Sequence, residues 1–172
     1  MNLTISFSYI GIVVFALPMI INIFYAVFPP TDNEVSSDRK DGASASSSEA
    51  LPKTGRLIET VEQISRIAYL ITLTFLKSKD SLCFKSFLLY ISVVFLVLYY
   101  AVWIRYFASG RKIEYLRRSF LLIPIPLAVF PVLYFIFAAV WMHNLPAAII
   151  AGIFGAAHIT VSIRSFRNER SS

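Results

Sequence analysis

The sequence predicts an all-α integral membrane protein: a bundle of about five transmembrane helices, N-terminus outside and C-terminus inside. Three observations carry this expectation. Hydrophobic residues make up 57% of the 172 residues and charged residues only 15%, against about 45–50% and 25% in soluble domains. The apolar residues run in stretches close to the roughly 20 residues that a spanning helix needs. The basic residues leave a net charge of +6 and gather at the ends of those stretches, where they face anionic headgroups and set topology. A soluble chain of this size has too little interior for its 15 Phe and 9 Tyr.

The chain reads as one transmembrane domain, 1–172. The first span, about 5–28, is uncharged. It lacks the basic n-region of a signal peptide, and Pro29-Pro30 follows in place of a small-residue cleavage site, so a retained helix is expected. Residues 31–55 differ from everything else. They hold Ser36, Ser37, Ser44, Ser46, Ser47 and Ser48, mixed charges and no aromatic residue. Such a segment cannot bury enough apolar surface to offset its ordering entropy, and a disordered loop is expected. Within it, Leu51-Pro52-Lys53-Thr54-Gly55 resembles the pentapeptide that sortases cleave. The resemblance stops at five residues, and further apolar stretches follow where a sorting signal would end, so the match reads as coincidence.

The second span, about 57–76, is the least apolar, with Glu59, Glu62, Gln63 and Arg66 in its first half. Leu57, Val61, Ile64, Ala68, Ile71 and Phe75 recur every three or four residues and mark one helix face. Such a segment either spans at a tilt or lies along the surface. The third span is about 84–104. The fourth, about 119–142, carries Pro124, Pro126 and Pro131 in its first half. Proline lacks an N–H and clashes with the preceding turn, so this helix must kink or start late. The fifth, about 145–163, is interrupted only by His158.

Positive charge sets the orientation. Arg105, Arg111, Lys112, Arg117 and Arg118 lie between the third and fourth spans, and Arg164, Arg167 and Arg170 follow the fifth. Two spans separate these clusters, so they share one side, and the positive-inside rule makes that side cytoplasmic. The same arginines and Lys112 are expected to contact anionic headgroups. Counting back, 57–76 must span if the loop bearing Arg39, Lys40, Lys53 and Arg56 is to stay inside. The arrangement leaves Lys77, Lys79 and Lys85 outside. A short single chain with this bias suits a bacterial cytoplasmic membrane.

Polar groups within spans are costly and tend to face the bundle interior, where they mark function. Asn22 and His158 each lie roughly 9 Å inside the cytoplasmic end of their spans, and Arg66 about 13 Å, at 1.5 Å rise per residue. Glu62 is shallower and stands four residues before Arg66, the favourable order for a helix ion pair. Together with Tyr99 and Trp103 these form the candidate ligand-binding set. Each has a plainer reading. Glu59, Glu62 and Arg66 could be a headgroup-facing stripe, and Tyr99, Tyr100 and Trp103 an interfacial aromatic belt beside Arg105. His158 could be a packing residue bonded to a nearby Ser, Tyr or carbonyl.

Ala147, Ala151, Gly155, His158 and Ser162 share one face of the last span, turning His158 inward. Ile149, Ile150, Ile153 and Phe154 then face lipid. Ala148, Gly152 and Ala156 form an adjoining small-residue strip suited to a protein partner. No metal-ligand cluster, phosphate loop, nucleophile elbow or internal repeat is evident, so no metal, cofactor or catalytic residue is assigned. Nucleic acid is excluded because the basic residues flank apolar runs. The leading expectation is a non-catalytic accessory, regulatory or immunity-type membrane component that binds a protein or lipid. The alternatives are a small transporter or ligand carrier with an inner-leaflet pocket, and an intramembrane enzyme acting on a lipid-like substrate through Glu62 or His158.

Topology is directly measurable. Reporters fused after Gly110 and at Ser172 should both read cytoplasmic, and one within 78–82 external. A cytoplasmic reading at 78–82 would mean that 57–76 does not cross.

Overall fold

Among the described residues, five helices pack as an up-and-down bundle. The computed structural model describes residues 3–28, 53–111, 123 and 125–171. The helices are α1 (Tyr9–Val27), α2 (Lys53–Phe75), α3 (Phe87–Ala108), α4 (Pro126–Trp141) and α5 (Leu145–Ser171). Two short strands, β1 (Leu3–Ile5) and β2 (Leu76–Ser78), pair antiparallel with Leu3 opposite Ser78. By length and composition, α3 and the 145–165 part of α5 could each cross a membrane. Helices α1 and α4 are apolar but shorter.

The boundaries follow local chemistry. Helix α1 begins later than position 5 because residues 3–5 are strand, and Ser8 caps it by accepting the Gly11 N–H at 3.1 Å. Helix α2 begins at Lys53, so Lys53–Gly55, expected to be loop, are helical. The remainder of the expected Ser-rich loop, 31–52, lies outside the described residues. Of the two outcomes that its prolines allow, α4 starts late. Pro126 occupies the first helical position, where a missing N–H costs nothing. Helix α3 ends at Gly110 in the left-handed region, with the Arg111 N–H bonded to the Tyr106 carbonyl. The α4–α5 turn closes in the same way around His143, whose φ is 52°. Its N–H reaches Val140 and that of Asn144 reaches Ala139.

The C-terminus of α2 organises one end of the bundle. A helix leaves its last four carbonyls without intrahelical partners. Here Thr74 and Phe75 accept from the N–H groups of Ser8 and Ser6, and Thr72 accepts from the Asn144 side chain at 3.2 Å. Asn144 Nδ2 also reaches the Leu76 carbonyl at 2.6 Å, while its Oδ1 caps α5 by accepting from Ala147 N–H. The Leu73 carbonyl packs directly against Gly11, where any Cβ would collide with it. One buried asparagine and one glycine thereby tie α1, α2 and α5 together.

Tyrosine hydroxyls brace the interior. Pro18 within α1 cannot donate to Val14 four residues back, and the Tyr134 hydroxyl supplies that carbonyl at 2.9 Å. Tyr100 donates to the Leu17 carbonyl and Tyr69 to that of Phe135. Helices α3 and α4, α2 and α5, and α4 and α5 form the extensive contacts, with α1 laid against α2. Ala147, Ala151 and Gly155 are buried, and a Cβ at Gly155 would strike Val132 of α4.

Helix α2 faces opposite to what its apolar pattern would dictate in water. Leu57, Val61, Ile64, Ile71 and Phe75 point outward, 45–65% exposed. Glu62, Ser65, Tyr69 and Leu73 point inward, each 6% exposed or less. The expectation that Phe154 faces outward is corrected. Phe154 is buried, Ile150 is partly buried in the core, and only Ile149 and Ile153 are exposed. Ala148 is also buried, leaving Gly152 and Ala156 of the small-residue strip on the surface.

Gly155→Leu should destabilise the protein by about 1–3 kcal/mol through overpacking against Val132. Gly152→Ala, with open space around it, should be neutral or stabilising by up to about 1 kcal/mol. Thermal unfolding in detergent measures both, and equal losses would mean that the α4–α5 approach is not close.

Candidate functional site

Glu62 cannot stay ionised inside an apolar bundle without partners. It finds them on two helices. Its Oε1 accepts from Arg66 Nη2, one turn along α2, and from His158 Nδ1 on α5 at 3.0 Å. An ionised carboxylate only accepts, so Nδ1 carries the proton in this pair. The Glu62 side chain is 8% exposed, against 34% for Arg66 and 25% for His158. The headgroup-facing stripe allowed for Glu59, Glu62 and Arg66 therefore does not describe Glu62. Glu59 and Gln63 line a separate open cleft with Arg56 and Thr60, which Glu62 also borders.

Phe154 orders the two partners of Glu62. The His158 ring stacks on it at 5.2 Å and 18°, and the Arg66 guanidinium carbon lies 5.5 Å from its ring centre. That contact belongs to the cation–π class. Phe154 stands four residues before His158 on the same helix face. That spacing was the signal available in the sequence, and reading the residue as lipid-facing concealed it.

The aromatic residues of α3 are not a surface belt. Tyr99 is 4% and Trp103 5% exposed, and Trp103 packs edge-on against Tyr99 and Tyr106. The Tyr99 hydroxyl donates to Asn22 Oδ1 at 2.9 Å, linking α3 to α1. Asn22 Nδ2 has only a long contact with Met19 Sδ at 3.9 Å.

These groups surround one cavity of about 440 Å³. Asn22, Arg66, Tyr99, Trp103 and His158 all line it, while Glu62 stands behind Arg66 and His158. Met19, Leu127, Pro131 and Phe135 supply apolar wall, and Ile125, Ser162 and Ser165 lie toward the end where α4 begins. All five helices thus contribute. Phe135 was not among the candidate ligand residues, because nothing in α4 alone shows which of its faces meets the polar groups of the others. Among the described residues no group of three His, Cys, Asp or Glu gathers. One carboxylate and one imidazole fall short of a protein metal site.

Of the expected headgroup-contacting residues, Arg105 and Arg111 lie at and beyond the end of α3, whereas Lys112, Arg117 and Arg118 lie outside the described residues. Comparison with protein-family models, curated proteins and solved structures gave no match.

The Glu62–His158 contact should appear as a coupling of about 1–2 kcal/mol in a double-mutant cycle on unfolding, built from Glu62→Gln, His158→Phe and the double variant. Strict additivity would mean that the two side chains do not bond.

Proposed function

We propose that the chain is a multi-pass membrane protein that holds a small amphipathic ligand in a pocket in its cytoplasmic half. All five helices cross, with the N-terminus outside and the C-terminus inside, in a cell membrane such as a bacterial cytoplasmic membrane. The outward apolar face of α2 supports the membrane setting: in water it would leave a long hydrophobic stripe unpartnered, while in lipid it is matched. Lys77, Lys79 and Lys85, with Asp80, lie between α2 and α3 at one end of the bundle. Arg56, Arg105 and Arg111 lie at the other.

The single observation that carries the ligand reading is the convergence of Asn22, Arg66, Tyr99, Trp103 and His158 on one cavity. Its volume falls within the range of about 300–1,000 Å³ usual for small-molecule pockets. A mostly apolar lining with a few convergent polar groups is what such pockets share. The reading suits a carrier, a receptor or a lipid-responsive subunit. A second reading, an accessory component that docks on a protein partner, is favoured by Gly152 and Ala156, which leave a smooth outward strip on α5.

Native mass spectrometry of the protein extracted in mild detergent is the test. A bound small molecule should be retained by the parent protein and lost in Arg66→Ala and His158→Ala. A clean ligand-free mass accompanied by a stable complex with another protein would favour the docking reading instead.

A further inference from the structure

The cavity has a chemical sign, and it identifies the head of its ligand. Resting on the pocket reading above, we propose that the ligand is an amphiphile whose head is an oxygen-bearing anion, a carboxylate or a phosphate. Its head would sit between Arg66 and Trp103, and its apolar part against Pro131 and Phe135.

The inference comes from counting donors and acceptors. Two buried N–H groups on lining residues lack partners: Arg66 Nε and Trp103 Nε1. The Trp103 indole lies beside the Tyr99 hydroxyl but is not in hydrogen-bond geometry with it. That hydroxyl directs its own proton to Asn22. Asn22 Nδ2 has only its weak sulfur contact. Three lining residues, on α1, α2 and α3, thus carry under-used donors, those of Arg66 and Trp103 buried and that of Asn22 exposed.

Among the nearby acceptors, Asn22 Oδ1 takes the Tyr99 proton, and Glu62 Oε1 is engaged by Arg66 and His158. Glu62 does not line the cavity, so the lining carries a guanidinium and no carboxylate. Buried donors without partners carry a desolvation cost, and a ligand bearing several acceptor oxygens removes it. A guanidinium suits a carboxylate or phosphate in particular, since its N–H fork matches two oxygens at once. Apolar side chains make up much of the remaining lining, which favours a head with a tail over a free anion.

The test is a titration of the full chain in nonionic detergent, read by native mass spectrometry, with four probes: laurate, dodecyl phosphate, inorganic phosphate and dodecyltrimethylammonium. Laurate and dodecyl phosphate should each bind once per chain, with inorganic phosphate at least tenfold weaker and the cationic amphiphile absent. Arg66→Gln should weaken the anionic amphiphiles at least tenfold. Trp103→Phe, which keeps an aromatic ring and removes one N–H, should weaken them by about threefold or more, and it serves if Arg66→Gln does not fold. Equal binding of the cationic amphiphile, or unchanged affinity in Trp103→Phe, overturns the assigned head chemistry while leaving pocket binding intact. Inorganic phosphate binding as tightly as dodecyl phosphate overturns the tail. Binding of none of the four probes overturns the pocket reading itself.

Discussion

The buried carboxylate of Glu62 fixes the rotation of the most polar helix. An ionised group so far from water needs strong partners, and those within reach are Arg66 on its own helix and His158 across on α5. Once Glu62 points inward, helical spacing turns Ser65, Tyr69 and Leu73 inward as well. Tyr69 then reaches the Phe135 carbonyl, and Leu73 abuts Gly11. The same rotation sends Leu57, Val61, Ile64 and Ile71 outward. One electrostatic requirement thus determines which helices α2 touches, and through them the shape of the cavity.

A second constraint works at the opposite end. The carbonyl terminus of α2 has no glycine cap and no basic residue in its last turn. Its carbonyls are met instead by the backbone N–H groups of Ser6 and Ser8, between β1 and α1, and by Asn144 from the α4–α5 turn. In a bilayer, where water cannot fill such positions, an unmet backbone group costs several kcal/mol. The β1–β2 pairing is therefore part of how α2 ends. The polar cluster and the helix terminus lie about two to three turns apart on α2, and between them they fix both its rotation and its height.

The sequence made the depth of the polar residues legible. Rise per residue places Asn22, Arg66 and His158 at comparable heights once the helices alternate in direction, and the structure brings all three to one cavity. Azimuth was only partly legible. Alanine and glycine on α5 gave the inward face of His158, because small residues mark a close approach. Tyr99 and Trp103 could not be oriented in this way, since an aromatic residue beside an arginine suits an interface and a core equally well. The roles of Asn144, Tyr134 and Gly11 were illegible for a different reason. Each serves a backbone group more than 60 residues away, and no local pattern encodes a bond of that range. The exposed apolar face of α2 was visible as a periodicity but had no sign, because the same stripe faces inward in water and outward in lipid.

The brevity of α4 has a consequence for the surrounding lipid. Its 16 residues give a rod of about 24 Å, whereas the hydrocarbon layer is about 30 Å thick. Helix α3 beside it, with 22 residues, reaches about 33 Å by the same rise. In the membrane setting proposed above, a bilayer cannot match both at once. The cavity lies behind the start of α4, at Ile125, Leu127 and Pro131. Membrane thickness thereby becomes a variable of the site. On that reading a thin bilayer suits α4 and a thick one suits α3.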